Sequence, residues 1–215
     1  MSSCNPCHIP MDPRKKLSKN DDEPFVDATE YRRIIESLRY LVNTRPDLTY
    51  SVGIVSRYME TPTVSHMNAV KQILRYVKGT VGMGIEYKKN QNSVELVGYS
   101  DSDLAGDTED RKSTTGILFF LGESPITWVS QKQRVVALSS CEAEYIAATG
   151  AKNPVYHERS KHINIRFHFI RECVQNGSVQ LEYTKTEVQL ADVLTKPLAR
   201  QRFFELRDKI GVKQV

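Results

Sequence analysis

The hydrophobic period of this chain first changes near Gly82, from helical to strand-like, and that change limits what the chain can fold into. Before it, Tyr31, Ile34, Ile35, Leu38, Leu41 and Val42 recur at spacings of three and four, the pattern of an amphipathic helix. Arg45-Pro46-Asp47 breaks that helix, and Pro46 suits the first turn of a second one running through Tyr50, Ile54 and Tyr58. Thr61-Pro62-Thr63 breaks the chain again, and a third helix follows from Val64 to Val77, closed by Gly79. After Gly82 the pattern is that of short strands. GMGIEYKK and VELVGYS read as a pair turned at Asn90 to Ser93. TTGILFFLG, PITWVS and RVVALSS follow closely enough for an antiparallel meander. SSCEAEYIAATG then starts a helix, and ERSKHINIRFHFIRECVQNG is a longer one ending at Gly177. SVQLEYT reads as a strand, TEVQLADVLTKPL and ARQRFFELRDKIG as two last helices. This order implies an α/β (α+β) domain behind a small all-α segment.

Three stretches follow: a segment 1–28, a helical segment 29–81 and an α/β domain 82–215. Pro6, Pro10, Pro13 and Pro24 stand among charges in the first, which is expected to be extended and poorly ordered. A net charge of +4 permits a nucleic-acid partner without requiring one. No apolar run is long enough to cross a bilayer, and the N-terminus lacks the apolar core of a signal peptide, so an intracellular protein without a membrane partner is expected. Four cysteines without a leader argue against a disulfide framework. Cys4, Cys7 and His8 spell a formal haem-attachment or half-zinc pattern, but Cys141 and Cys173 stand alone elsewhere, so neither haem nor zinc is expected.

The chemistry offered is carboxylates at the ends of structural elements. Asp101 closes the strand VELVGYSD and opens the acidic loop SDLAGDTED, where Asp103, Asp107 and Asp110 can also serve as turn formers. Ser139 and Glu142 fit a capping box, which leaves Glu144, two residues on and on the opposite side of the helix, as the acid able to face a site. Asp192 falls inside TEVQLADVLTKPL, where aspartate is a poor helix former, and Thr186 with Gln189 fits a second capping box.

The strings YRRIIESLRYLVNTRPDLTYSVGIVSRYME, GYSDSDLAGD, RKSTTGILFFLG, ITWVSQKQRVVALSSCEAEYIAA and QLADVLTKPL resemble the end of a copia-type LTR-retrotransposon Pol polyprotein. The resemblance implies that residues 29–79 are the tail of a reverse transcriptase and that a ribonuclease H-like mixed sheet follows. Such domains cut the RNA strand of an RNA–DNA hybrid with four carboxylates around two Mg²⁺ ions about 4 Å apart. Asp101, Glu144 and Asp192 match three of these catalytic and metal-binding acids. The fourth has no counterpart, because Ala148-Thr149-Gly150 runs straight into Ala151-Lys152-Asn153-Pro154, where the family has roughly 40 more residues, a little over one crossover unit. The sheet is thus expected to be incomplete and the cleavage impaired. Asp107, Glu142 and Glu158 are the substitutes on offer, none at the matching place.

Further expectations follow. Asp101 and Glu144 should lie together, with strand 94–100 central. Strand 179–183 should either pair directly with strand 94–100 or lose its sheet contact. Lys152, Arg159, Lys161 and Arg166 lie on a basic tract suited to the backbone of a hybrid, or equally to the solvated face of an amphipathic helix.

Overall fold

The structure, a computed structural model, describes residues 4–19, 22–88, 95–152 and 163–215. It divides into two compact units: residues up to 91 with 123–125 and 196–215, and residues 92–122 with 126–195. The chain leaves the first unit, builds the second and returns.

The first unit begins with α1 (Ala28–Val42), α2 (Thr49–Val55) and α3 (Val64–Gly79). Asp27 caps α1 by accepting the N–H groups of Thr29 (2.7 Å) and Glu30 (3.4 Å), and the helix buries Tyr31, Ile35 and Leu38. Thr63 caps α3 in a capping box whose second member is His66, since its Nδ1 accepts the Thr63 N–H at 3.0 Å. The break at Arg45-Pro46-Asp47 is a buried polar junction. The Arg45 guanidinium donates to both Asp47 oxygens (2.9 and 2.7 Å) and to Thr80 O and Oγ1 (3.1 and 2.9 Å). Tyr76 Oη donates to Asp47 Oδ2 at 2.6 Å. Burial works against the Arg45 charge, but the Asp47 carboxylate outweighs it and holds the guanidinium protonated.

The same unit takes up the end of the chain. In α6 (Arg200–Lys209), Phe203 meets Tyr76 edge-on at 5.6 Å. Gly211, at φ +85°, turns the chain into β5 (Val212–Gln214). β5 pairs antiparallel with β1 (Met83–Ile85), Gly84 opposite Lys213. GMGIEYKK therefore does not pair with VELVGYS as expected. Its partner is three residues long, too short to leave an alternating pattern. Residues 4–19 form neither helix nor strand, but they bend at 8–11, turn where Lys15 N–H meets Asp12 O (3.2 Å), and are anchored to the helices. Cys7 N–H donates to Arg75 O at 3.2 Å, and Met11 and Leu17 are buried. Two isolated apolar residues in a charged stretch carry no periodic signal.

The second unit holds β2 (Leu96–Ser102), β3 (Thr114–Leu121) and most of β4 (Ser124–Lys132), in the order β2-β3-β4. β2 runs antiparallel to β3 with Leu96 opposite Leu121 and Asp101 opposite Gly116. Among the described residues β3 is central and β2 is an edge, which corrects the central place expected for 94–100. Of the two outcomes set out for residues 179–183, loss of sheet contact is the one seen. They form no strand, and Leu181 and Tyr183 are exposed. RVVALSS is also not a strand, because Val135 and Ala137 pack against Ala143 and Ile146 of α4 (Ser140–Lys152) instead of extending the sheet. α5 (Ile163–Gln175) packs on α4 and ends at Gly177, φ +71°. TEVQLADVLTKPL is not an α-helix but two 3₁₀ turns, Thr186–Val188 and Leu190–Leu194, separated by the extended backbone of Gln189 (ψ 106°). The result is a mixed α/β fold with two small antiparallel sheets, an incomplete ribonuclease H-like arrangement. Among the described residues no helix is long and apolar enough to cross a membrane.

Candidate active site

β2 ends at Asp101 and Ser102, and three elements converge there. Asp101 is 9% exposed, and its Oδ2 accepts the hydroxyl of Thr195. Thr195 Oγ1 is also 3.3 Å from Asp192 O, so one hydroxyl ties the strand end to the turn that carries Asp192. That turn reaches the sheet because residue 116 is glycine. A Cβ there would stand 2.7 Å from Thr195 Cγ2 and 2.9 Å from Ala191 O. Gln189 fixes the turn from its other end. Its Oε1 accepts Ala191 N–H (3.2 Å), and its Nε2 donates to Ser100 O (3.0 Å).

Glu144 approaches from α4. Its Oε1 accepts the Ser102 N–H at 3.2 Å, one residue beyond Asp101, so these two acids do lie together. The register of α4 against the sheet is held by Gln133, which is buried. Its Nε2 lies 3.0 Å from Ser102 Oγ, Thr115 Oγ1 and Ala143 O. The Ala143 carbonyl needs a donor, which fixes the orientation of the amide. Asp192, 3% exposed, sits in the 3₁₀ turn. The sequence pattern marked the three acids but not Thr195, Gln133 or Gly116. A hydroxyl, an amide and a glycine with long-range partners leave no local periodic trace. The expected capping box of Thr186 with Gln189 does not form: Thr186 lies inside the first turn, and Gln189 caps alone, from the N-cap position of the second.

Two of the three substitute acids have other work. Burial raises the Asp107 carboxyl, but the Lys132 ammonium at 2.6 Å and the N–H groups of Glu109 and Asp110 override it and hold it at about 2. Lys132 also reaches Asp110 at 2.9 Å. Glu142 forms half of the expected capping box: its N–H donates to Ser139 Oγ (3.1 Å), but its Oε2 accepts the N–H of Leu138 (2.8 Å), one residue ahead of the cap. Glu158 lies outside the described residues, as do Arg159, Lys161 and the side chains of Lys152 and Arg166. Among the described residues no three His, Cys, Asp or Glu side chains are grouped so as to hold a metal ion. The acids of the described residues therefore do not by themselves make up a two-metal centre.

The chain is 42% identical to the retrovirus-related Pol polyprotein from transposon RE1 of Arabidopsis thaliana, over 250 positions that include all of this chain and 17% of that protein. It belongs to the Pol polyproteins of copia-type retrotransposons. The RE2 Pol polyprotein of the same plant is equally similar (42%, 17% of its length), and the TNT 1-94 Pol polyprotein of Nicotiana tabacum is 35% identical over 99% of this chain and 19% of its own. The chain thus spans under a fifth of the length of these copia-type Pol relatives. The RE1 comparison runs over 250 positions against 215 residues here, so 35 positions present in that Pol polyprotein have no counterpart in this chain. No protein-family model and no solved structure matches the chain.

Proposed function

We propose that this chain is a retrotransposon-derived ribonuclease H-like domain carrying a reverse-transcriptase tail, and that its cleavage of RNA in RNA–DNA hybrids is impaired. The observation that carries the reading is the convergence of Asp101, Glu144 on the N–H of Ser102, and the Asp192 turn at the end of β2, with no metal-holding group among the described residues. Asp101, Glu144 and Asp192 are the remaining members of a site that would hold two Mg²⁺ ions in a complete domain. Two dications held about 4 Å apart need a dense set of acidic ligands. Asp107 and Glu142 cannot join them without giving up Lys132 or the start of α4. The 35 absent positions agree with the loss of a fourth acid together with its strand. Misplacement of a reacting group by about 1 Å is enough to lower a rate on the order of 100-fold. The basic tract with Lys152, Arg159, Lys161 and Arg166 would bind the hybrid backbone even where hydrolysis is lost.

A labelled-hybrid cleavage assay with Mg²⁺ or Mn²⁺ tests this, with Asp101→Asn as the control for contaminating nuclease. The expected result is no cutting above that control. Robust metal-dependent cleavage that vanishes in Asp101→Asn would overturn the impairment. Salt-sensitive hybrid binding without cleavage would instead match a non-catalytic remnant that only binds nucleic acid.

A further inference from the structure

Charge is divided unevenly between the two units. The unit with α1 to α3 and α6 has 20 Lys and Arg against 13 Asp and Glu, and the other has 10 against 13. The helical unit therefore carries +7 and the sheet unit −3. A basic balance alone describes only a solvated surface. One strip gives it a focus. The N-terminal segment lies along α3, where Arg75 Nε donates to Asn5 O (2.6 Å) and Lys78 Nζ to Cys4 O (2.8 Å). A few residues on, His8 is exposed and meets Phe204 of α6 edge-on at 6.4 Å. Phe204 is half-buried and lies between two guanidinium groups, with Arg200 Cζ 5.4 Å and Arg207 Cζ 4.7 Å from its ring centre.

Among the described residues none of Arg75, Arg200 and Arg207 is paired with a carboxylate. Of the two acids of α6, Glu205 faces Arg202 at 3.8 Å and Asp208 is exposed at the end of the helix. Arg207 donates one nitrogen to Tyr76 Oη (3.2 Å), while its buried Nε has no acceptor. A strip of guanidinium groups beside a partly open aromatic ring matches a ligand with spaced negative charges and flat apolar faces.

We infer that this strip binds single-stranded nucleic acid without regard to sequence, with phosphates on Arg75, Arg200 and Arg207 and a base stacked against the Arg200–Phe204 surface. Backbone charge supplies affinity whatever the sequence, and every base has a face that can stack on an aromatic or guanidinium plane. A duplex keeps those faces inside its own stack, so the ring gives the single strand its advantage. An acidic peptide would use the cations and leave the ring idle. The strip lies wholly in the helical unit and involves none of the site acids, so its failure would leave the ribonuclease H-like reading untouched.

Fluorescence anisotropy on the full chain tests the inference, with labelled oligo-dT and oligo-rU of about 20 nucleotides, a duplex of the same length and polyglutamate. Three phosphate contacts at roughly 0.7 each give a salt slope near −2, a loss of about 20-fold in affinity between about 50 and 200 mM salt. Phe204→Leu keeps the apolar bulk and should weaken single-strand binding about 5-fold or more, leaving duplex binding unchanged. Arg200→Gln and Arg75→Gln should each flatten the slope by roughly 0.7. Far-UV circular dichroism checks that each variant is folded, and Arg200, being exposed, gives a variant whose fold is not at stake. Polyglutamate binding as tightly as the oligonucleotides would overturn the inference in favour of an acidic-chain site. Single-strand binding indifferent to Phe204→Leu, or lost on Lys161→Gln but not on Arg75→Gln and Arg200→Gln, would overturn it as well.

Discussion

Asp47→Ala should be among the most damaging single changes in the helical unit. It removes two hydrogen bonds from Arg45 and one from Tyr76, and it leaves a guanidinium that is 4% exposed without its counter-charge. Breaking one side of a buried ion pair costs about 3–5 kcal/mol, because the surviving charge remains desolvated. Arg45 keeps its two bonds to Thr80, so a value near the lower end, about 3 kcal/mol, is expected. Urea slopes of about 1–3 kcal/mol/M turn that into a midpoint lowered by about 1–3 M, read by far-UV circular dichroism at neutral pH. The double variant Arg45→Met, Asp47→Leu should recover much of the loss, since it buries no charge. A loss under about 1 kcal/mol, the usual worth of an exposed pair, would refute the reasoning. So would a double variant as unstable as the single one.

Other expectations concern the sheet unit. Asp107 is held at about 2, below its unfolded value, so its stabilisation is complete above about pH 4 and is lost as pH falls toward 2. Lys132→Met removes the strongest of the downward influences and should move the acid unfolding midpoint, followed by Trp128 fluorescence, to higher pH; an unchanged midpoint would show the pair to be inert. Gly116→Ala should cost about 1–3 kcal/mol in thermal unfolding, because its methyl would push against Thr195 and Ala191 O. Thr195→Val keeps the shape but removes the donor to Asp101, and a loss of about 1–3 kcal/mol is expected; a melting temperature equal to the parent's would show that water serves Asp101 as well.

The helices were legible because their signal is local. Tyr31, Ile35 and Leu38 mark the buried face of α1 by spacing alone, and Thr61-Pro62-Thr63 marks the entry to α3. The site acids were legible as residue types at element ends, and Glu144 does reach the backbone beside Asp101. What escaped depends on distant partners. The 212–214 strand has no pattern of its own, and SVQLEYT has the composition of a strand but no edge to pair with. The α-helical pattern around Asp192 gave way to 3₁₀ turns. There Gln189 bonds to β2, and Gly116 lets the backbone come close. Thr195 was passed over because its role exists only once a strand nearly a hundred positions earlier lies beside it.

The pairing of β1 with β5 also sets an order of events during synthesis. At about 5–20 residues per second, Val212 leaves the ribosome on the order of 10 s after Ile85, the residue it will face. Through that interval Asp47 and Tyr76 are already made, but Phe203 and Arg207, which close over Tyr76, are not. The sheet unit, ending at Thr195, has all its residues before α6 exists. The half of the protein that is translated first is thus the half that finishes folding last, and for those seconds its apolar face is available to chaperones or to other nascent chains.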